Sequence, residues 1–188
     1  MFLDRDGVLN IPEFRNGRSY APRRVEDFVL YPDAPQALRE LAELGCKLIV
    51  VTNQPDVGNG LVERTTVSAM HDILRAALPV HQVLTCPHSQ TQGCGCRKPK
   101  PGMLLAAAEE WNLDLARCYV IGDRAGDILA GRAAGCATVF IDRGYTEPKP
   151  EDCDFSTDSL SDAAQWFCRR VKEQSPRDRQ TGPRPDNM

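Results

Sequence analysis

No stretch of this 188-residue chain approaches the about 18 consecutive apolar residues that a membrane-crossing helix requires. No apolar leader opens it, because Asp4, Arg5 and Asp6 interrupt the N-terminus at once. A secretory signal is therefore not expected. A basic excess is missing too: 23 Lys and Arg face 26 Asp and Glu, a formal net charge of −3. That argues against a nonspecific nucleic-acid binder. No internal repeat is visible. What remains is an ordinary globular balance, 41% hydrophobic and 26% charged. The length predicts one domain, at about one per 100–200 residues. It is enough to bury a core without staples.

Without a secretory signal, the eight cysteines do not read as a disulfide framework. Cys46, Cys118, Cys136 and Cys168 stand singly in core-like or helical contexts, and Cys153 lies in a polar loop. Cys86, Cys94 and Cys96 instead crowd together with His88 inside eleven residues. A reducing, cytoplasmic compartment with one local metal cluster is the expectation.

Short, continuous, β-rich apolar runs occupy 48–51, 119–121 and 138–141, with a weaker one at 83–84. Continuous runs suit strands covered on both faces, as in parallel sheets. Helical patterns cover 34–44, 62–78, 102–111 and 125–134, and a last one at 161–173 could dock outside the sheet. Strands alternating with helices predict an α/β fold: a doubly wound, Rossmann-like parallel sheet with helices on both faces. Residues 12–33 are polar and rich in Pro, Gly and Arg, and read as a loop or flap. The tail 175–188 holds three prolines and almost nothing apolar, and reads as disordered. Only three residues precede Asp4, so either the first strand is very short or the start of the chain is clipped.

Each apolar run ends in a polar residue: Asp4, Thr52-Asn53, Thr85-Cys86 and Gly122-Asp123. Such ends lie side by side on one sheet edge, where open α/β sheets bind ligands. In Asp4-Arg5-Asp6-Gly7, two carboxylates and a glycine turn suit a hard cation such as Mg2+. A plain Asp-Gly turn is the alternative. Cys86, His88, Cys94 and Cys96 match the Cys3His set of closed structural zinc sites. Free thiols or one disulfide remain the alternatives there. Lys98 could be a solvated surface lysine, but Pro99 and Pro101 pin its backbone.

These motifs, in order, resemble the haloacid dehalogenase superfamily of aspartate-nucleophile phosphatases. Asp4-x-Asp6-Gly7-Val8 matches the first motif, Thr52 the second, Lys98 the third, and Gly122-Asp123 with Asp127 the fourth. The resemblance spans about residues 1–142 and implies one phosphatase domain over 1–174. It implies Asp4 as nucleophile and Asp6 as general acid, then base. Thr52, Asn53 and Lys98 would hold the phosphoryl group. Mg2+ would sit between Asp4, Asp123 and the backbone carbonyl of Asp6. For Asp127 a supporting or helix-capping role is favoured over direct ligation.

The zinc loop before Arg97-Lys98 resembles that of the capless D,D-heptose 1,7-bisphosphate and histidinol-phosphate phosphatases. Thr52-Asn53-Gln54 looks like the heptose branch, since the histidinol branch typically has Ser for Thr52. That implies attack on the 7-phosphate of a heptose 1,7-bisphosphate, with Arg97 on the second phosphate. The implied partner is a small phosphorylated sugar met by a monomer, with no nucleic acid and no membrane. This chain departs from the branch in a shorter zinc loop and in Pro55-Asp56 where Ser-Gly is usual. It also has Asn59 where Arg is common, and a longer flap with Arg15, Arg18, Arg23 and Arg24. Histidinol phosphate, a 3′-phosphorylated polynucleotide and a receiver-like phospho-accepting switch are the alternatives. The receiver fits poorly, because both key Asp residues share one motif and a zinc loop has no place there.

Overall fold

A computed structural model describes residues 1–174; the tail expected to be disordered lies outside the described residues. Ten strands form in chain order: β1 (Phe2–Leu3), β2 (Asn10–Ile11), β3 (Glu13–Arg15), β4 (Arg18–Tyr20), β5 (Val29–Leu30), β6 (Ile49–Asn53), β7 (Gln82–Cys86), β8 (Tyr119–Gly122), β9 (Ala137–Ile141) and β10 (Phe155–Thr157). The α-helices are α1 (Ala34–Glu43), α2 (Pro55–Gly58), α3 (Arg64–Ala77), α4 (Gly102–Trp111), α5 (Ala125–Ala133) and α6 (Leu160–Gln174). Six strands build one sheet in the order β10-β9-β8-β1-β6-β7. Every pairing within it is parallel.

The continuous apolar runs have the reason expected of them, because both faces are buried. Leu3, Val50, Ile121 and Val139 point into a core shared with Leu38 and Leu41 of α1, Met70 and Leu74 of α3, and Leu160 of α6. Phe2, Ile49, Val51 and Val120 point the other way, into a core with Leu104 and Ala107 of α4 and Ala130 of α5. In α1, Ala34, Ala37, Leu38 and Leu41 form the buried stripe at helical spacing. The first strand is two residues long, yet central and fully buried, clamped between Ile49 and Val120.

From β1 the chain winds outward through β6 and β7, then crosses back to β8 on the other side of β1. Asp4 follows β1 at this reversal and donates its N–H to the Ile121 carbonyl at 2.9 Å. Ligands of doubly wound sheets bind at such a reversal.

Three parts differ from the sequence expectation. The flap is built rather than loose: β2 pairs with β5, and β3 with β4, both antiparallel. Asn16 and Gly17, at φ 51° and 74°, make the β3–β4 turn. A short helix, α2, follows Gln54, and β10 extends the sheet edge. The last helix is not peripheral, since Leu160, Ala163 and Ala164 are fully buried in the core under the sheet. No helix among the described residues is long and apolar enough to cross a membrane.

Candidate active site

The ends of β1, β6 and β8 carry Asp4, Thr52 and Asp123, and the loop between β7 and α4 brings Lys98 to Asp4. Asp4, Asp123 and Asp127 are all buried, and carboxylate oxygens of the three lie within 4.8 Å of one another. Burial pushes the Asp4 carboxyl up to about 6 against the pull of Lys98, and raises Asp123 as well. Asp4 and Asp127 push Asp123 further the same way. Gly7 is required beside them: it sits at φ 94°, and a Cβ there would lie 1.8 Å from Asp123 Oδ2.

Lys98 is only 5% exposed, so it is no solvated surface lysine. Its ammonium reaches Asp4 Oδ1 at 2.7 Å, the Val51 carbonyl at 2.7 Å and Asp127 Oδ1 at 2.6 Å. Burial works against this charge, yet Asp127 and Asp4 outweigh it and raise the pKa. All three N–H donors are engaged. The ammonium is thus held by two carboxylates and one carbonyl, and offers no free donor.

Asp127 also caps α5, accepting the Arg124 N–H at 3.1 Å. It thus caps a helix, pairs Lys98 and borders the carboxylate cluster. Asn53 lines the cavity, and its side chain donates to the Lys98 carbonyl and accepts the Lys98 N–H, each at 3.1 Å. That two-way bond fixes the Lys98 backbone. Thr52 is fully buried and accepts from Gln54 Nε2 at 2.8 Å, which leaves its own hydroxyl proton free to donate.

The Asp6 carboxylate stands apart from the other three. Gln54 Nε2 donates to it at 2.7 Å and Asn10 Nδ2 at 3.0 Å. Arg5 adds a forked contact, its Nη2 3.0 Å from both carboxylate oxygens. Arg5 is itself fully buried, stacks over Phe28 and meets His71 Nε2 at 3.1 Å. An arginine has no lone pair to accept with, so the imidazole accepts and its proton sits on Nδ1.

The site opens into a cavity of about 250 Å³ lined by Asp4, Asp6, Arg18, Arg23, Arg97 and Arg124, among others. These four guanidinium groups and Lys98 face five carboxylates in the same lining, Asp4, Asp6, Asp56, Asp127 and Glu147, so the opening is densely charged with both signs in balance. Arg23 is tied to Asp56 at 2.7 Å, whereas Arg97 Nη1 is buried with no partner. Sequence reasoning missed Gln54, His71, Arg124 and Tyr145. Tyr145 donates its hydroxyl to Asp123 Oδ2 at 2.6 Å.

The cysteine loop forms a second cluster. Cys94 Sγ lies 3.5 Å from Cys86 Sγ and from Cys96 Sγ, and His88 Nδ1 lies 3.3 Å from Cys96 Sγ. These gaps are far too long for a disulfide, whose sulfurs sit about 2.05 Å apart. They approach the about 3.8 Å edge of a tetrahedron with Zn–S bonds of about 2.3 Å. The Cys86 thiol, pushed up to about 12 by burial, is a group whose proton a zinc ion would displace. The donor set fits zinc. The carboxylate cluster fits a hard cation, because Asp123 Oδ1 is buried there with no partner.

Comparison with known proteins agrees with this geometry. Residues 11–135 match the model of the haloacid dehalogenase-like hydrolases. A D-glycero-β-D-manno-heptose-1,7-bisphosphate 7-phosphatase of Pseudomonas putida is 36% identical over 152 residues, covering 78% of this chain and 84% of that protein. The Escherichia coli protein of the same name is 31% identical over 187 residues, covering 92% and 95%. The D,D-heptose 1,7-bisphosphate phosphatase of B. bronchiseptica, solved with magnesium and phosphate, superposes with a TM-score of 0.79. Its identity is 29%, over 90% of this chain and 98% of that one. The chain therefore belongs to the haloacid dehalogenase-like hydrolases, and within that family it is a phosphatase, a phosphoric monoester hydrolase.

Proposed function

We propose that the chain removes the 7-phosphate of D-glycero-D-manno-heptose 1,7-bisphosphate, through an aspartyl-phosphate on Asp4. The observation that carries the chemistry is Lys98, buried against Asp4 and Asp127 at the cavity. One Asp4 oxygen is held by Lys98, and the other is the attacking atom. It bonds to phosphorus as the phosphorus–sugar oxygen bond breaks, and Asp6 gives a proton to the leaving oxygen. Water then attacks the phosphorus, Asp6 takes its proton, and the phosphorus–Asp4 bond breaks to release phosphate. Gln54, which donates to both Asp6 and Thr52, ties the proton carrier to the hydroxyl that would hold the phosphoryl group.

Mg2+ would be held by Asp4, Asp123 and the Asp6 carbonyl. When bound, it offsets the repulsion between phosphate and carboxylate. Zn2+ would be held by Cys86, His88, Cys94 and Cys96, a closed set that leaves no open position. Its role is to fix the loop that delivers Arg97 and Lys98. We further propose a cytoplasmic monomer acting on a small sugar phosphate, which suits the net charge of −3 and the free thiols.

The substrate follows from Arg97 and from the named relatives. Arg97 lines the cavity beside Lys98 with a buried, unpartnered Nη1, a donor awaiting an anion. Phosphate release should be fastest from the heptose bisphosphate in a panel that includes heptose monophosphate, histidinol phosphate and a 3′-phosphorylated oligonucleotide. Arg97→Ala should cut kcat/KM on the bisphosphate about 10- to 100-fold, chiefly through KM, and much less on a monophosphate. Equal losses on both would remove the bisphosphate reading and favour histidinol phosphate.

A further inference from the structure

Tyr145 belongs to none of the strand-end motifs, yet it touches two parts of the site at once. Its hydroxyl donates to Asp123 Oδ2 at 2.6 Å, while Asp123 Oδ1 is left buried and unpartnered. The two oxygens are thus divided: one is held from behind, and one is free for a cation. The same ring meets Phe14 of β3, with centroids 5.3 Å apart and planes at 54°. Thr146, the next residue, donates its N–H to the Gly17 carbonyl at 3.1 Å, in the β3–β4 turn. On the other side of Asp123, Arg124 donates to Ser19 Oγ of β4 at 2.6 Å. Arg18, Ser19 and Tyr20 of that hairpin wall the cavity.

We propose that Tyr145 is a positioning residue that couples the β3–β4 flap hairpin to the cation site, by fixing Asp123 so that its free oxygen faces the ion. This rests on the magnesium reading above. A carboxylate turns about its own axis unless an outer partner holds it. Loss of such a partner typically costs about 10- to 100-fold in metal affinity. The hydroxyl supplies that hold. The ring transmits the position of the hairpin, since the tyrosine cannot keep its bond to Asp123 and follow a displaced Phe14. Coupling of this kind is reciprocal, so a bound ion also orders the hairpin.

The test is titration of the full chain with Mg2+ alone, followed by calorimetry, with thermal unfolding as a control for the fold. Tyr145→Phe keeps the ring and loses only the hydroxyl. It should weaken Mg2+ binding about 10- to 100-fold, while the metal-free variant still unfolds in one cooperative step, at a temperature lowered because Asp123 Oδ2 loses its donor. Phe14 is 54% exposed, so Phe14→Ala spares the core. It should weaken Mg2+ about fivefold, the low end for coupling between sites. In the Tyr145→Phe background the same change should add nothing, because the link is already cut. Wild-type Mg2+ affinity in either single variant overturns the coupling, as does a double variant in which the two losses multiply. Asp123→Asn separates the two ideas. If it binds Mg2+ as wild type does, the cation site itself is misassigned. If it abolishes binding while Tyr145→Phe does not weaken it, only the role of Tyr145 falls.

Discussion

A fully buried arginine is an expensive residue to keep, and Arg5 is tolerated because every face of its guanidinium has a partner. Asp6 takes its fork, Phe28 its flat side, and His71 the remaining nitrogen. His71 stays neutral for the same reason. Burial, with Arg5 beside it, holds its pKa down at about 4. His71→Leu would leave Arg5 Nη1 buried without an acceptor. It should cost about 1–3 kcal/mol in urea unfolding at neutral pH. His71→Gln, whose side-chain carbonyl can accept, should recover most of that. Equal stability of the leucine variant and wild type would show that the imidazole does not serve Arg5. The sequence did carry a signal for His71: it interrupts the buried stripe of α3 formed by Val67, Met70 and Leu74. A polar side chain on such a stripe needs a buried partner.

At the level of elements, the strands and helices of the sheet were legible because each buries a patterned face. The motifs around Asp4, Thr52, Lys98 and Asp123 were legible because those residue types follow one another in the order of the family they resemble. The flap was not. Its strands are only two or three residues long and partly exposed, too short to show alternation. Its one strong signal was Asn16-Gly17, the pair that a tight hairpin turn favours. The strand β10 is similarly short, and Tyr145 offered no pattern at all, since its partner Asp123 is 22 residues away. The bond of the Asn53 amide to the Lys98 backbone, 45 residues away, likewise left no local pattern. The cysteine loop, by contrast, announces itself by composition. Metal analysis of protein purified without added zinc should find one zinc per chain. Stripping it with a chelator and then restoring Mg2+ should still leave activity low, because Arg97 and Lys98 follow the last ligand directly. Full activity in zinc-free protein would contradict that.

Over the whole molecule, the proposed Mg2+ site predicts that stability depends on pH and on Mg2+ together. In the metal-free fold Asp4 keeps a proton up to about 6, whereas its ordinary value is 3.8. The unfolded chain releases that proton first. This contribution to stability is therefore complete below 3.8 and lost as pH rises through about 6. Asp123 is raised as well and acts in the same direction. Mg2+ competes with these protons, so it should raise Tm more at about pH 8 than at about pH 5. At a hundred times its Kd the ion adds about 2.7 kcal/mol. That is roughly 5–10 °C for a domain of this size. An equal rise at both pH values would mean that the ion binds elsewhere.

The central claim is that Asp4 carries the phosphoryl group, and it can be read directly. Asp6→Asn slows the attack of water more than the first attack on phosphorus, so the covalent state should accumulate. That variant is mixed with heptose bisphosphate and Mg2+, quenched in acid, digested, and its peptides weighed. The account predicts one phosphorylated peptide, the N-terminal one, with the added mass on Asp4. The same peptide should be unmodified in the Asp4→Asn, Asp6→Asn double variant, and Asp4→Asn alone should turn over no substrate. A phosphorylated residue elsewhere, or an Asp4→Asn variant retaining even about a tenth of wild-type turnover, would contradict it.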